Sequence, residues 1–380
     1  MGAAEVAERL DEPADELHPY VLYAADRVFR VVLEALAHIE DWEPWPPFSR
    51  GYHVNLSPTF SLTVGARGLT AGEGEEIWAR LRRAPDLAAK LQFALWAAYF
   101  EAGGQPATRV WTSLSSLMRR LGYTPHASGG SNARDLHLVA DTLAAMFGVG
   151  VSGRWTDPGH HKERSVSGPL WQDGLVAAER REGRRERVWI AHQPGLWFTD
   201  AAWQARNGFL GRVSAALLEL DAARDKWPIR VGAAYAWLAR ANLSASPSLT
   251  LRVCALVKQT GAAAKYQGRP AQLRARIEAA HDRLVAAGLL RQWEWLPGRS
   301  GSAGGWLEGS IRAEWIDAIP PLACSGTTPR VQGDHPSRVI REIEKHPNKS
   351  NSFKGRPLTL RAGAASSVPA ARRPATREVA

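Results

Sequence analysis

The sequence predicts a mainly helical α+β protein, because one pattern of helices bounded by strand-like segments occurs in it twice. The clearer copy spans residues 248–295. It starts with a short apolar segment and a helix that ends at Gly261, and after a basic turn a longer helix from Pro270 runs to Gly288. An alternating, strand-like segment then ends at Trp295. Helix, glycine-containing turn, helix and strand is the order of a winged helix-turn-helix domain.

The second copy of this pattern lies earlier in the chain, at residues 112–147. Thr112 is placed to cap a helix that ends at Gly122, and a turn rich in Gly and Ser follows. A second helix with an inward apolar stripe starts at Ser131, and residues 148–155 are predicted to be the first strand of the wing. The two copies share their order rather than their residues, so the prediction is two tandem domains of one architecture.

Residues 1–69 precede both patterns. Residues 1–18 are acidic and are expected to form a flexible leader. Residues 19–69 are assigned to an N-terminal helix and hairpin. The helix is predicted across residues 19–40, because a proline starts it and apolar residues recur with helical spacing. The prolines of the segment DWEPWPPF end this helix, and residues 52–65 alternate as the strands of a hairpin do.

The first winged-helix domain is assigned to residues 70–212. Two helices are expected before its helix-turn-helix, across residues 70–83 and 86–101, from the spacing of their apolar residues. Residues 150–200 combine strand-like stretches with a long basic insert, and they are interpreted as an elaborated wing or small sheet of this domain. Asp200 is expected to cap a further helix.

The second winged-helix domain is assigned to residues 213–323. Its first helix is predicted across residues 217–243, and the glycine-rich basic stretch after Trp295 is expected to be the tip of its wing. Residues 324–380 are rich in Pro, Ser, Ala and Arg, a composition typical of disorder. The predicted fold class is therefore α+β, mainly helical, with two tandem winged helix-turn-helix domains and a disordered, basic C-terminal tail.

The charge of the chain is large and unevenly placed. The 380 residues carry a net charge of +10, and the pI is about 9.9. Residues 1–48 have a net charge of −8, residues 49–324 of +11 and residues 325–380 of +7. A basic body behind an acidic leader points to a polyanionic partner, most simply a nucleic acid.

The cysteines and the apolar runs limit the location of the protein. Cys254 and Cys324 provide neither a disulfide framework nor the spacing of a zinc site, and so few cysteines fit a reducing cytoplasm. Cys254 is expected to be packed in an apolar helix. The acidic N-terminus is unlike a signal peptide, and no run of about 18 uncharged apolar residues would span a membrane. The expected location is the cytoplasm.

Signatures of catalysis and of cofactor binding are missing from the sequence. It contains no Gly-Lys-Ser/Thr phosphate loop, no GxSxG and no HExxH or CxxC motif. No two histidines are separated by one residue, the spacing that the metal site of a DNA-nicking enzyme needs. We therefore expect a non-enzymatic protein without catalytic residues, a cofactor or a metal.

Candidate DNA-binding residues lie around both helix-turn-helix patterns. The longer helix of the later pattern has one inward stripe, formed by Leu273, Ile277, Ala280 and Leu284. Gln272 and Arg276 lie off this stripe and are predicted to read base edges, because Gln pairs with adenine and Arg with guanine. Arg134 and His137 are the predicted readers of the first domain. The other candidates are cations of helices, turns and wing tips that are expected to contact DNA, mainly its phosphates: Lys162, Arg164, Lys258, Lys265, Arg269, Arg274 and Arg299.

Five stretches of the chain carry a resemblance to a known family: VWTSLSSLMRRLGY, ARDLHLVADTLAAMF, KWPIRVGAAYAWLARANL, LTLRVCALVKQTG and RIEAAHDRLVAAGLLRQWEW. Together they resemble bacterial plasmid replication initiators of the tandem winged-helix, iteron-binding class. The resemblance covers residues 70–320 and is one of order and pattern. It implies that each winged helix reads part of one origin repeat. It also implies opening of an adjacent A/T-rich segment, recruitment of a host helicase or initiator protein, and a homodimer inactive in initiation. The insert at residues 157–187, the acidic N-terminal segment and the basic tail depart from that pattern.

The sequence thus predicts a sequence-specific double-stranded DNA-binding protein that initiates plasmid replication by binding repeats in the origin. One alternative is a transcriptional regulator built from the same domains, with residues 19–65 as its ligand or dimerisation segment. Direct repeats beside the reading frame favour the initiator, and an inverted repeat at a promoter favours the regulator. The other alternative is an interaction or partition adaptor whose winged helices bind protein rather than DNA.

Overall fold

The computed structural model shows a mixed α and β protein with several sheets. It describes residues 20–24, 27–58, 60–103, 108–124, 132–157, 162–179, 187–199, 210–241, 248–262, 266, 268–296 and 305–316. Chain contacts group Met1–Pro320 into one unit and Pro321–Ala380 into another. The predicted leader, residues 1–18, and the predicted tail, residues 324–380, lie outside the described residues, so both stay predictions. None of the described helices is both long and apolar enough to cross a membrane.

The α-helices of the described part are numbered along the chain. They are α1 Arg27–Ala37, α2 Ala71–Arg83, α3 Pro85–Glu101, α4 Leu114–Arg120, α5 Ala133–Phe147, α6 Leu196–Thr199, α7 Ala216–Glu219, α8 Lys226–Ala241, α9 Val253–Gln259 and α10 Pro270–Ala286. Two short 3-10 segments are Ile39–Asp41 and Gly305–Glu308.

The strands are numbered in the same way. They are β1 Tyr20–Ala24, β2 Glu43–Trp45, β3 Phe48–Ser57, β4 Phe60–Ala66, β5 Val110–Ser113, β6 Val149–Asp157, β7 Lys162–Pro169, β8 Trp171–Glu179, β9 Arg187–Pro194, β10 Leu210–Ser214, β11 Ser248–Arg252, β12 Leu290–Leu296 and β13 Ser310–Trp315. They form antiparallel sheets with the orders β1-β10, β2-β3-β4-β6-β7, β5-β9-β8 and β11-β13-β12.

Helix α3 lies at the centre of the fold. Every residue from Asp86 to Tyr99 is buried, because α1, α5, α8 and β1 all pack against it. A helix surrounded in this way is apolar on all sides, which explains the sequence LAAKLQFALWAAY. Trp96 contributes to an aromatic cluster, and its ring centroid lies 4.8 Å from those of Trp171 and Phe198. Edge-to-face and tilted ring pairs of this kind add to the energy of burial.

Two predicted helices differ from the observed elements. The predicted helix of residues 19–40 is a strand, β1, followed by α1, because β1 pairs with β10 from far along the chain and this pairing overrides the local spacing. The predicted helix of residues 217–243 is divided into α7 and α8. Between them Asp221 accepts backbone hydrogen bonds from Ala223 and Arg224, so the side chain stabilises a turn instead of a continuous helix.

The helix predicted after Asp200 is partly wrong. Residues 200–209 lie outside the described residues, but Leu210–Ser214 is strand β10. Cys254 also differs from its prediction: it is exposed on α9 rather than packed. The neighbouring Val253 and Leu256 hold the buried positions of that short helix.

The first wing differs most from its prediction. Residues 148–155 were expected to start it, but β6 pairs with β4 and β7 in the five-stranded sheet. The N-terminal hairpin, β3 and β4, belongs to this same sheet. The hairpin that completes a sheet with β5 is instead β8–β9. Sequence pattern identified β6 as a strand but not its partners, because register and pairing depend on contacts between distant segments.

We expect acid to weaken the packing of α10 through His281. This side chain is fully buried: its Nδ1 donates to the Ile277 carbonyl at 2.7 Å, and its Nε2 accepts from the Tyr235 hydroxyl at 2.9 Å. Burial lowers the pKa of His281 to about 4. Between about pH 6.5 and 4 the unfolded chain binds the proton and the folded chain does not, so the free energy of unfolding falls as the pH is lowered.

Urea unfolding measured from pH 7 to 4 checks this expectation. In the middle of that range, lowering the pH by one unit should decrease the free energy of unfolding of the His281→Leu variant by about 1.4 kcal/mol less than that of the unsubstituted protein. Identical slopes for the two proteins would contradict the assignment of a buried, neutral imidazole, whatever the absolute stability of the variant.

Candidate nucleic-acid interface

Helix α10 is anchored by the apolar stripe that its sequence predicts. It begins at Pro270, after Gly268 with a positive φ of 75°, and proline is well suited to a first helical position. The predicted stripe is buried, and it consists of Leu273, Ile277, Ala280 and Leu284. The stripe packs against α8 and β12, which turns the opposite face of α10 to solvent.

The exposed side of α10 carries three of the predicted DNA contacts. Arg269, Gln272 and Arg276 are all exposed. Among the residues that the structure describes, no hydrogen-bond or ion-pair partner is found for these three side chains. Their donors are therefore free to bind an external ligand. Ala275 and Ala279 of the same helix are exposed as well.

Arg274 is exposed as predicted but is engaged within the protein. Its Nε donates to Glu278 at 2.9 Å, and its guanidinium lies over the Trp295 ring, 5.2 Å from the centroid. The Trp295 indole N–H donates to the same carboxylate oxygen at 3.0 Å. The three side chains join α10 to β12. The helix-spaced Arg and Glu were visible in the sequence, whereas the part played by Trp295 required the strand pairing.

Helix α9, which carries Lys258, precedes α10 in the chain. The Lys258 side chain is exposed in the last turn of α9, one turn from the exposed Cys254. The backbone carbonyl of Lys258 accepts a hydrogen bond from His38 Nε2 at 2.6 Å. The other ring nitrogen of His38 lies 2.8 Å from the Asp41 carboxylate. The predicted phosphate contact is thus carried by a helix whose end is held by the N-terminal part of the chain.

Helix α5, the second helix of the earlier predicted helix-turn-helix, presents its candidates in a similar way. Asn132 caps α5 by accepting from the backbone N–H of Arg134 at 3.0 Å. Arg134 and His137 are exposed, and Val139 is one of the buried residues on the inner face. The exposed face also carries Asp141, whose carboxylate repels phosphate. The exposed face of α5 is consequently less basic than that of α10.

The remaining candidates are less well placed by the structure. Lys162 and Arg164 belong to β7, opposite Asp157 and Trp155 of β6, and their side chains are not described. They lie at the start of β7, which belongs to the five-stranded sheet rather than to the sheet of β5, and their contact with DNA stays a prediction. Lys265 and Arg299 lie outside the described residues.

The two three-stranded sheets have the same topology. In each sheet the strand before a predicted helix-turn-helix pairs with the last strand of the later hairpin, giving the orders β5-β9-β8 and β11-β13-β12. The equivalent of the hairpin β12–β13 is therefore β8–β9, whose described ends pair Glu179 with Arg187. Between them the sequence reads RREGRRE. The equivalence of β8–β9 to β12–β13 was not predicted from the sequence.

Comparisons with known proteins identify no family for the chain. No family model and no curated protein matches it. The solved structures that are similar to it include two crystal structures of domains 2 and 3 of RctB. One, of selenomethionine derivatives, has a TM-score of 0.43 and 11% identity and covers 74% of this chain and 98% of its own. The other, of RctB residues 155–483, has a TM-score of 0.39 and 10% identity and covers 70% of this chain and 91% of its own. Similarity at this level establishes neither family nor function.

We expect alanine at Gly261 to be much more costly than alanine at Gly288. Both glycines follow a helix with a positive φ, 67° and 71°, so either substitution should lower the free energy of unfolding by about 1–2 kcal/mol. A Cβ on Gly261 would lie 2.3 Å from the Ala37 carbonyl oxygen, whereas a Cβ on Gly288 meets nothing within 4 Å. Gly261→Ala should therefore lower the free energy of unfolding, measured with urea, by about 1–3 kcal/mol more than Gly288→Ala does. Equal losses would mean that α1 does not closely approach this turn.

Proposed function

We propose that this chain is a non-enzymatic, sequence-specific double-stranded DNA-binding protein that initiates plasmid replication from repeats in an origin. In this proposal β5, α4, α5, β8 and β9 form one winged helix-turn-helix domain, and β11, α9, α10, β12 and β13 form the other. The common strand order of their sheets supports a repeated architecture. The second helix of a helix-turn-helix is the element that enters the major groove, which here is α5 or α10.

The observation that carries the proposal is the exposed side of α10. Its Arg269, Gln272 and Arg276 are exposed and unpartnered within the described residues, and the apolar stripe fixes the opposite side to the domain. Amide and guanidinium groups recognise adenine and guanine edges through paired hydrogen bonds. We assign base reading to Gln272 and Arg276, and phosphate binding to Arg269 at the start of the helix.

Phosphate contacts elsewhere provide the rest of the affinity in this proposal. Lys258 on α9 and Arg134 on α5 are exposed cations, and the residues 49–324 carry a net charge of +11. Neutralising phosphates releases counterions, so binding should weaken steeply as salt is raised. Arg274 is assigned a structural role in addition to its predicted contact with DNA, because Glu278 and Trp295 already hold its side chain.

The initiator role is inferred from the resemblance of the sequence to tandem winged-helix plasmid initiators. In this role the protein binds host replication proteins in addition to DNA. A homodimer is a second form of the protein in the same proposal. Transformation with a plasmid whose only origin is this gene and its flanking DNA tests that role. Maintenance of the plasmid supports an initiator. Specific binding to an inverted repeat at a promoter, without maintenance, points to a transcriptional regulator.

We expect Gln272→Ala and Arg276→Ala each to weaken binding to the cognate duplex by about 1–3 kcal/mol while leaving binding to unrelated DNA in place. The cognate duplex is obtained by selection from a random DNA library with the unsubstituted protein. Fluorescence anisotropy at two salt concentrations gives both affinities and their salt dependence.

Arg291→Ala and Gln292→Ala are matched controls. They replace the same two residue types by alanine at exposed positions on β12, away from α10. Both should bind the cognate duplex as the unsubstituted protein does. Equal losses on cognate and unrelated DNA would make Gln272 and Arg276 phosphate contacts. If the library yields no preferred sequence, and binding shows no dependence on salt, the chain is an adaptor for proteins rather than a DNA reader.

A further inference from the structure

The first helix of each helix-turn-helix ends in the same way. Helix α4 ends at the cap residue Leu121, and Gly122 follows with a φ of 83°. Helix α9 ends at the cap residue Thr260, and Gly261 follows with a φ of 67°. In both cases the carbonyls at the helix end point away from the helix and need hydrogen-bond donors.

A cation from the preceding long helix supplies that donor in each domain. Lys90 of α3 donates through Nζ to the Leu121 carbonyl at 2.9 Å. Arg230 of α8 donates through Nη1 to the Thr260 carbonyl at 3.0 Å. Both cations lie in the second turn of their helix, so the equivalence of the two domains extends to individual side chains. A positive charge is also favourable at the negative end of a helix dipole.

Each of these cations also contacts the other domain. Lys90 donates to the Leu220 carbonyl, which lies between α7 and α8. Arg230 forms an ion pair with Asp86 in the first turn of α3, through contacts of 2.6 and 3.3 Å. The link is reciprocal: the cation that caps the first domain reaches into the second, and the cation that caps the second reaches into the first.

The charged groups that α3 contributes to these links are buried. Lys90 is 2% exposed and Asp86 is 3% exposed. Burial lowers the pKa of Lys90 to about 8, which reflects the cost of keeping this ammonium away from water. A Cβ on Gly122 would lie 2.9 Å from Glu219 Cα, so the backbone of the first turn directly contacts the end of α7.

We propose that Lys90, Arg230 and Asp86 lock the two helix-turn-helix domains at one separation, which makes this chain selective for DNA in which two half-sites have one fixed spacing. The inference rests on the proposed function, because it takes α5 and α10 as the helices that contact DNA. Locked domains cannot adjust to a half-site that is displaced along the duplex or rotated around it. About 10.5 base pairs make one helical turn, so an insertion of about 5 base pairs turns one half-site to the opposite side.

The spacing requirement is tested with the duplex selected from a random library, divided into its two footprinted halves. Variants of this duplex carry insertions of about 5 or about 10 base pairs between the halves. Because loss of simultaneous contact removes the gain from bivalent binding, each insertion should weaken binding to the unsubstituted protein about 100-fold, to the affinity of one half-site. A selected duplex of which one half binds as tightly as the whole would overturn the inference but leave the proposed function standing. Selection of no sequence would instead overturn the proposed function.

The role of the three residues is tested with Lys90→Met and Asp86→Asn. Each variant should keep the affinity of the unsubstituted protein for single half-sites but bind the intact duplex more weakly. Insertion between the halves should then reduce the affinity of the variant at most about tenfold instead of about 100-fold. Arg80→Gln is the control, because it removes an exposed ion pair with Glu76 on α2. It should keep the full insertion penalty.

Circular dichroism decides whether the variants fold. Asp86→Asn keeps the shape of the side chain and its ability to accept hydrogen bonds, so it serves as the test if Lys90→Met unfolds. A folded Asp86→Asn protein with the full insertion penalty would overturn the assignment of these residues. Loss of half-site binding in step with intact-duplex binding would do the same, because it would mean general damage to each domain rather than release of one domain from the other.

Discussion

The burial of α3 on every side is the constraint on which the rest of the structure depends. A helix without a solvent-facing side can carry a polar group only where a neighbour satisfies it. Its two buried charges, Asp86 and Lys90, therefore meet specific partners: the guanidinium of Arg230 and the carbonyls of Leu121 and Leu220. The partners belong to α8 and to the cap residues that end α4 and α7. Packing of the core and placement of the candidate DNA-binding helices are thus consequences of the same contacts.

The sequence predicted local elements better than their assembly. The stripe of α10 was predicted correctly, because helical spacing reports directly which residues face the core. The β1 segment was mistaken for the start of a helix, since its partner β10 is distant in the chain. The same limit explains the first wing: nothing in residues 148–155 alone distinguishes pairing with β4 from pairing with β5. Strand pairing depends on register across the whole fold, which single-sequence patterns do not contain.

The candidate site was predictable to a similar extent. Exposure of Arg269, Gln272 and Arg276 followed from their positions off the stripe. The engagement of Arg274 by Trp295 did not follow, because it joins a helix to a strand. The sequence carries one further signal, a single lysine within the apolar run LAAKLQFALWAAY. A buried lysine requires partners, so such a residue marks a place where another segment must present oxygen atoms.

The pairing of β1 with β10 also has a consequence for biosynthesis. Tyr20 lies opposite Ser214, so the strand made early in translation has no partner until the chain has grown well beyond α4 and α5. At about 5–20 residues per second this interval is on the order of 10–40 s. During that time the surface of α3 that β1 covers remains without its cover, and pairing at such sequence separation is slow for entropic reasons. The nascent chain therefore passes through a long period in which an apolar helix and an unpaired strand are open to chaperones or to another chain.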